Sequence, residues 1–264
     1  MSKPTKRNLE LLDRPEVSRV LFHLRRDLPG RATPPGAYIV RIQVDEGITV
    51  GGRLYRAGPD APVMLYFHGN GEIASDYDGI APLYTQIGVN LLVVDYRGYG
   101  ISDGQPSASH LLDDAIVVYE KMPALLAEHG LNRERLFVMG RSLGSAAAIE
   151  IAGHAGGEIA GLIIESGFAD TLPLLATLGL QVRGGDEARD GLGHPDKIAQ
   201  VRVPTLIIHG EADWLIPVEN GRTLYKCAGA DDKRLVTIPH AGHNDLLFAG
   251  QEPYFEAVRA FVHR

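Results

Sequence analysis

Short, almost wholly apolar segments recur from residue 63 onward, and longer segments with apolar residues at helical spacing lie between them. The apolar segments are Val63–Phe67, Leu91–Val94, Leu136–Met139, Leu162–Ile164 and Thr205–Ile208, with Leu235–Ile238 as a plausible last strand. Strands covered by helices on both faces have this composition, because a parallel sheet has no solvent face. Helices are predicted at Ile80–Ile87, Ser109–Glu128, Ser145–Ala152, Val218–Tyr225 and Pro253–Val262, and Pro123 is predicted to kink or end the second. This alternation predicts an α/β fold with a doubly wound, mostly parallel sheet and helices on both faces.

The segment before the apolar strands has a different pattern. Tyr38–Val44 and Ile48–Tyr55 alternate apolar and polar residues with Gly47 near the turn, which predicts an antiparallel hairpin. Residues 1–36 are predicted to be an N-terminal extension that packs on a domain spanning residues 37–264. Within it, apolar residues at loosely helical spacing favour a helix lying on the domain over a helix on a membrane surface; they are Leu11, Leu12, Val20, Leu21, Leu24 and Leu28.

Composition narrows the function classes. The chain has 264 residues, which fits one large α/β domain, and a formal net charge of -7, which argues against a nucleic-acid partner. The single cysteine, Cys227, excludes an intrachain disulfide. No apolar segment approaches the ~20 residues of a membrane-spanning helix, and the first residues lack the apolar core of a secretory signal. A cytoplasmic protein without membrane insertion is therefore expected. The sequence contains no H-x-x-x-H or H-E-x-x-H pair, so no metal site is predicted.

Two segments match G-x-S-x-G, a pattern that can place a nucleophilic serine on a sharp turn. Gly140–Gly144 follows an apolar strand directly and runs directly into a predicted helix, which is the context that a nucleophile elbow needs. Gly100–Gly104 lies in a glycine-rich loop and leads into Gln105-Pro106 instead. Ser142 is therefore the predicted nucleophile, and Ser102 is the weaker alternative.

A serine hydroxyl needs a base, and the base needs an acid that orients it. His243 lies in a glycine-containing loop after the last predicted strand, with His240 as the nearest alternative. Asp213 follows the strand that ends in His209, and Glu211 and Glu165 are weaker substitutes. The order Ser142, Asp213, His243 is the one expected for a catalytic triad in a fold of this kind.

Acyl transfer also needs donors for an oxyanion. The segment His68-Gly69-Asn70-Gly71 follows the strand Val63–Phe67, and its glycines allow a sharp turn with a free backbone N–H. The backbone N–H groups of Asn70 and Leu143 are the predicted oxyanion hole. A plain glycine-rich turn is the alternative interpretation.

Taken together, five motifs in this chain resemble those of the α/β-hydrolase superfamily. They are the strand-H-G-N-G loop, the D-Y-R-G-Y-G-x-S loop, the G-R-S-L-G-S elbow, the H-G-x-x-D segment and G-H-N-D. They look most like its small serine-hydrolase branch, which includes acyl-protein depalmitoylases and related esterases. The resemblance covers roughly residues 37–264 and implies an eight-stranded sheet, a triad of Ser142, Asp213 and His243, and an oxyanion hole at Asn70 and Leu143. Some relatives carry an N-terminal membrane anchor or a palmitoylated cysteine cluster, and neither is expected here.

The excursion at about residues 167–202 is shorter than the helical lid of many family members. Its leucines form either a small flap over the acyl site or ordinary packing on the sheet; they are Leu172, Leu174, Leu175, Leu178 and Leu180.

The function expected from these residues is a cofactor-free serine hydrolase acting on a small-molecule carboxylic ester or thioester. A serine peptidase or an acyltransferase with the same triad is the alternative within catalysis. A non-catalytic ligand-binding member of the fold is the alternative outside it, although all three triad members are present.

Overall fold

The computed structural model describes residues 8–28 and 30–264, so the prediction made for residues 1–7 lies outside it. The described residues form one eight-stranded sheet with the order β1-β2-β4-β3-β5-β6-β7-β8. The strands are β1 Ala37–Asp45, β2 Ile48–Tyr55, β3 Val63–Phe67, β4 Asn90–Val94, β5 Leu136–Arg141, β6 Gly161–Glu165, β7 Thr205–Gly210 and β8 Lys233–Ile238. The β1–β2 and β2–β4 pairs are antiparallel and the other pairs are parallel. Both the predicted hairpin and the mostly parallel sheet are confirmed.

Helices cover both faces of this sheet. They are α1 Pro15–Leu21, α2 Ala81–Gln86, α3 Ala108–Glu128, α4 Gly144–Ala155, α5 Thr171–Thr177, α6 Glu187–Asp190, α7 His194–Ile198, α8 Glu219–Cys227 and α9 Leu246–Val262. Alternate residues of β3 enter two different cores: Leu65 packs with residues of α3 and α4, whereas Tyr66 packs with residues of α2 and α9. The apolar character of the central strands follows from this double burial.

The helix predicted at Ser109–Glu128 is α3. Pro123 lies inside α3 and does not end it, and Leu125 and Leu126 beyond the proline are buried in the core. The last helix begins at Leu246 rather than at Pro253, but its backbone is not helical at Gly250. A Cβ at Gly250 would lie 2.2 Å from the Ile238 side chain, so the interrupted helix packs closely on the end of β8.

The described part of the segment before β1 packs on the same core. Leu12, Val17 and Leu21 are buried there, and α1 contacts α5. Helical structure ends at Leu21, and Leu24 and Leu28 are exposed in the extended chain that follows. Among the helices of the described residues, none has the length and apolar character needed to cross a membrane.

Candidate active site

The turn between β5 and α4 holds Ser142 in a backbone conformation that residues other than glycine rarely adopt. Its φ is 51°, in the left-handed region, and its backbone N–H donates to the carbonyl of Glu165 at 2.8 Å. The two flanking glycines are required by space: a Cβ at Gly140 would lie 2.1 Å from the carbonyl oxygen of Gly144. The strand and the helix approach too closely for any side chain there, and this presents Ser142 at the carboxyl edge of the sheet.

Two other loops at this edge bring a histidine and an aspartate to the serine. The Nε2 atom of His243 lies 2.9 Å from the Ser142 Oγ, and its Nδ1 lies 2.7 Å from Oδ2 of Asp213. The second carboxylate oxygen of Asp213 accepts the backbone N–H groups of Leu215 and Ile216 at 3.0 and 2.8 Å. These bonds fix the carboxylate in one orientation. All three side chains are almost completely buried.

The electrostatic environment keeps the aspartate ionised. Burial alone would raise the pKa of Asp213, but hydrogen bonds from His209 and His243 outweigh it and hold the pKa below its usual range. An ionised carboxylate at Nδ1 leaves Nε2 of a neutral imidazole free to accept a proton from the serine. The geometry is therefore suited to activating the Ser142 hydroxyl.

The two predicted oxyanion donors line the same cavity as the serine and the histidine. The side-chain oxygen of Asn70 accepts hydrogen bonds from the backbone N–H of His23 at 2.7 Å and from the Tyr99 hydroxyl at 2.8 Å. These bonds immobilise the loop that carries the Asn70 backbone N–H. Within residues 8–28 and 30–264, neither the Asn70 nor the Leu143 backbone N–H has an acceptor, so both can donate to a bound group.

The cavity beside Ser142 has a volume of about 150 Å³ and is lined by both polar and apolar side chains. The apolar part of the wall combines Leu21 of α1, Leu174 of α5 and Leu178 with Leu215 and Ile216 from the loop after β7. Of the leucines of residues 167–202, Leu174 and Leu178 border the cavity, whereas Leu175 is buried in the core. The contribution of Leu21 was not foreseen, because helical spacing alone does not show which neighbour a helix covers.

The alternative serine and base lie elsewhere. Ser102 is buried, and its Oγ accepts the backbone N–H of Gly51 at 2.8 Å, which makes it a structural contact between a loop and β2. His240 is exposed. His209 is buried behind the site, with Nε2 2.7 Å from the carbonyl of Ile216 and 3.5 Å from Asp213 Oδ2.

The alternative acids also have other partners. Glu211 accepts the hydroxyl of Thr237 at 2.7 Å near the surface. Glu165 lies beneath the elbow, where it accepts the Tyr254 hydroxyl at 2.7 Å and the Arg141 Nε–H at 3.1 Å. Burial raises the pKa of Glu165, against the lowering effects of Arg141 and Tyr254.

Arg141 is a site residue that the motif analysis missed. It occupies the variable position before Ser142, yet its side chain is almost buried and donates to the carbonyl of His243 at 2.8 Å. A signal was present in the sequence: a charged residue that ends an apolar strand needs buried partners. Glu165 ends the adjacent strand and is its direct neighbour across the sheet.

The described residues contain no group of three or more histidine, cysteine, aspartate or glutamate side chains placed to share a metal ion. The fold and the strand–serine–helix turn together define an α/β hydrolase. A family model described as "Serine aminopeptidase, S33" matches residues 58–184 and 173–248. The chain thus belongs to this family of α/β hydrolases.

Named relatives agree with this assignment. Alpha/beta hydrolase domain-containing protein 17C of Xenopus tropicalis is 30% identical over 234 residues, which are 85% of this chain and 69% of the relative. The human protein of the same name is 31% identical over 208 residues, which are 75% of this chain and 57% of the human protein.

Solved structures share the fold at low sequence identity. An esterase from Pyrococcus furiosus is similar with a TM-score of 0.73 and 19% identity, covering 90% of this chain and 97% of the esterase. A hydrolase from Pseudomonas aeruginosa PA01 is similar with a TM-score of 0.68 and 18% identity, covering 86% of this chain and 98% of that protein. At these identities the likeness concerns the fold.

Proposed function

We propose that this hydrolase cleaves carboxylic esters or thioesters through an acyl-enzyme intermediate, with Ser142 as nucleophile, His243 as general base and Asp213 as the acid that orients it. The observation that carries the proposal is the continuous hydrogen-bonded series from Ser142 Oγ through both nitrogens of His243 to Asp213, at 2.9 and 2.7 Å. It borders a cavity whose apolar part can receive an acyl group.

The reaction follows from the positions of these groups. Ser142 Oγ attacks the substrate carbonyl while Nε2 of His243 takes the hydroxyl proton, and the carbonyl oxygen becomes an oxyanion held by the N–H groups of Asn70 and Leu143. The oxyanion collapses, the bond to the leaving group breaks, and His243 returns the proton to the departing oxygen or sulfur. A water molecule then gives a proton to His243 and attacks the acyl-serine. The bond between the acyl carbon and Ser142 Oγ breaks, His243 returns the proton to Oγ, and the carboxylic acid leaves.

The cavity suggests the length of acyl chain. An apolar protein cavity of about 150 Å³ binds benzene, so the volume beside Ser142 accommodates roughly six carbon atoms. Each buried methylene contributes about 0.8 kcal/mol of binding free energy. We infer that activity rises with acyl length to about six carbons and gains little beyond that. The resemblance of the sequence motifs to those of acyl-protein depalmitoylases supports including thioesters among the substrates.

A fluorophosphonate test addresses the nucleophile directly. We expect wild type to gain one adduct by intact mass, which peptide mapping assigns to Ser142, and Ser142→Ala to gain none. Ser102→Ala is the matched control, because Ser102 lies in the other G-x-S-x-G segment. It loses the bond to Gly51 and some stability but keeps the adduct.

Two results contradict the proposal. An adduct on Ser102 instead of Ser142 makes Ser102 the activated nucleophile. No adduct on folded wild type excludes an activated serine and favours a ligand-binding member of the fold. If Ser142 is labelled, matched hexanoyl ester, thioester and amide substrates follow. A higher kcat/KM on the amide than on both others favours the peptidase alternative.

A further inference from the structure

We propose that Arg141 is a positioning residue. Its single guanidinium group fixes the loops that carry the nucleophile, the base and the oxyanion donor relative to one another. This inference rests on the proposed function of Ser142, His243 and Asn70. Arg141 precedes Ser142 directly, so its backbone belongs to the elbow, while its side chain reaches the two other loops.

The first connection runs to the base. The Nη2 atom of Arg141 donates to the backbone carbonyl of His243 at 2.8 Å and to the side-chain oxygen of Asn244 at 3.0 Å. Neither bond touches the imidazole. They fix the backbone from which the imidazole projects, and therefore the distance between His243 and Ser142.

The second connection runs to the oxyanion loop. The Nη1 atom of Arg141 forms an ion pair with Oε1 of Glu72. The other oxygen of Glu72 accepts the backbone N–H of Gly69 at 2.9 Å and the Tyr77 hydroxyl at 2.7 Å. Gly69 precedes Asn70, so the ion pair holds the loop that carries the proposed oxyanion donor.

The third connection fixes the guanidinium itself. Its Nε–H donates to Glu165 at 3.1 Å, and the hydroxyl of Tyr254 holds the other oxygen of that carboxylate. Burial alone would lower the pKa of Arg141, but the charges of Glu72 and Glu165 raise it overall, so the group stays charged. A planar guanidinium with donors in fixed directions can serve all these acceptors, whereas the compact lysine ammonium cannot.

Arg141→Lys is the decisive variant, because it keeps the positive charge beside both glutamates but loses the bond to His243. We expect kcat for a hexanoyl ester and the fluorophosphonate labelling rate of Ser142 to fall about 10- to 100-fold. KM should stay within about twofold, since the apolar residues of the cavity wall would bind the acyl group and Arg141 is not one of them. A role confined to stability would lower the melting temperature without changing kcat per folded molecule.

Arg97→Lys is the matched control for burial and charge. The side chain of Arg97 is 9% exposed, against 11% for Arg141, and it pairs with Asp114 and Asp45 away from the cavity. We expect this variant to lose stability and to keep the wild-type kcat. Equal kcat losses in the two lysine variants overturn the proposal.

Glu72→Gln tests the same inference if Arg141→Lys does not fold. One Glu72 oxygen faces the guanidinium and the other faces the Gly69 N–H. The amide nitrogen of the glutamine must replace one of these oxygens, so it places a donor against another donor in either orientation. We expect a fall in kcat with little change in KM. Wild-type kcat in a folded Glu72→Gln protein overturns the inference. The proposed function then still stands if wild type is labelled at Ser142, and it fails separately if wild type is not.

Discussion

Gly144→Ala tests whether the close contact between β3 and α4 sets the geometry of the oxyanion hole. A Cβ at Gly144 would lie 2.1 Å from the carbonyl oxygen of Phe67, 2.6 Å from its carbonyl carbon and 2.9 Å from the carbonyl oxygen of His68. All three are backbone atoms, so no side chain can rotate away. The helix and the strand must separate instead.

The size of that separation gives the expected effect. Cβ atoms essentially never approach heavy atoms more closely than 3.0 Å, so relief requires a shift of about 1 Å. Overpacking of this kind costs about 1–3 kcal/mol of stability. The strand leads into Asn70 and the helix begins after Leu143, so the shift moves the two N–H donors apart. A displacement of about 1 Å in a catalytic arrangement costs about 10²-fold in rate.

Gly153→Ala is the matched control in the same helix. Gly153 is exposed, and a Cβ there has nothing within 4 Å. Alanine is the better helix former, so this variant should gain about 0.5–1 kcal/mol. Thermal melting gives the stability and fluorophosphonate labelling gives the reactivity of Ser142. Wild-type labelling in a folded Gly144→Ala protein refutes the reasoning, because the two donors would then not depend on this contact.

Three further predictions concern the base, the cavity and pH. Asp213→Asn should lower kcat about 10⁴-fold by analogy with other triads. If kcat for a hexanoyl ester falls less than tenfold, another residue has the role assigned to Asp213. Leu178→Trp should narrow the cavity and lower the hexanoyl-to-acetyl ratio of kcat/KM at least about tenfold; an unchanged ratio contradicts the acyl-site assignment. The pKa of Asp213 is lower in the folded state than in the unfolded state, where it is about 3.9. Ionisation of Asp213 therefore stabilises the fold fully at pH values above the unfolded-state pKa, and this stabilisation is lost as the pH falls through the folded-state pKa. The melting-temperature gap between wild type and Asp213→Asn should therefore be constant above about pH 5 and shrink towards pH 2; a gap that widens contradicts this sign.

Much of the fold could be predicted because the central strands are buried on both faces. The segment Val63–Phe67 is apolar at every position, and its predicted bounds are those of β3. Helix boundaries were less predictable, because tertiary contacts decide them. Met122 and Leu126, on either side of Pro123 in α3, are buried in the core, and a non-helical backbone at Gly250, packed against Ile238, divides α9 into two helical pieces.

The candidate site was predictable where local sequence forces local geometry. A serine between two glycines, with a strand before and a helix after, can adopt few backbone conformations, and Ser142 has the expected one. The supporting contacts were not predictable, since they join residues far apart in sequence. Arg141 lies 69 residues from Glu72 and 102 from His243, and no spacing rule connects positions so distant.

The cluster of Arg141, Glu72 and Glu165 is difficult to explain by stability alone. It places the buried Glu165 and the partly exposed Glu72 against one almost buried guanidinium, and burial works against the charged form of each group. Replacing a buried ionic cluster with well-packed apolar residues is often neutral or stabilising. The strained backbone of Ser142 beside it also costs about 1–3 kcal/mol. These costs in stability fall where three loops meet. A positioning role for Arg141 accounts for them, because its directed hydrogen bonds fix His243 relative to Ser142. Apolar packing would leave that position less constrained.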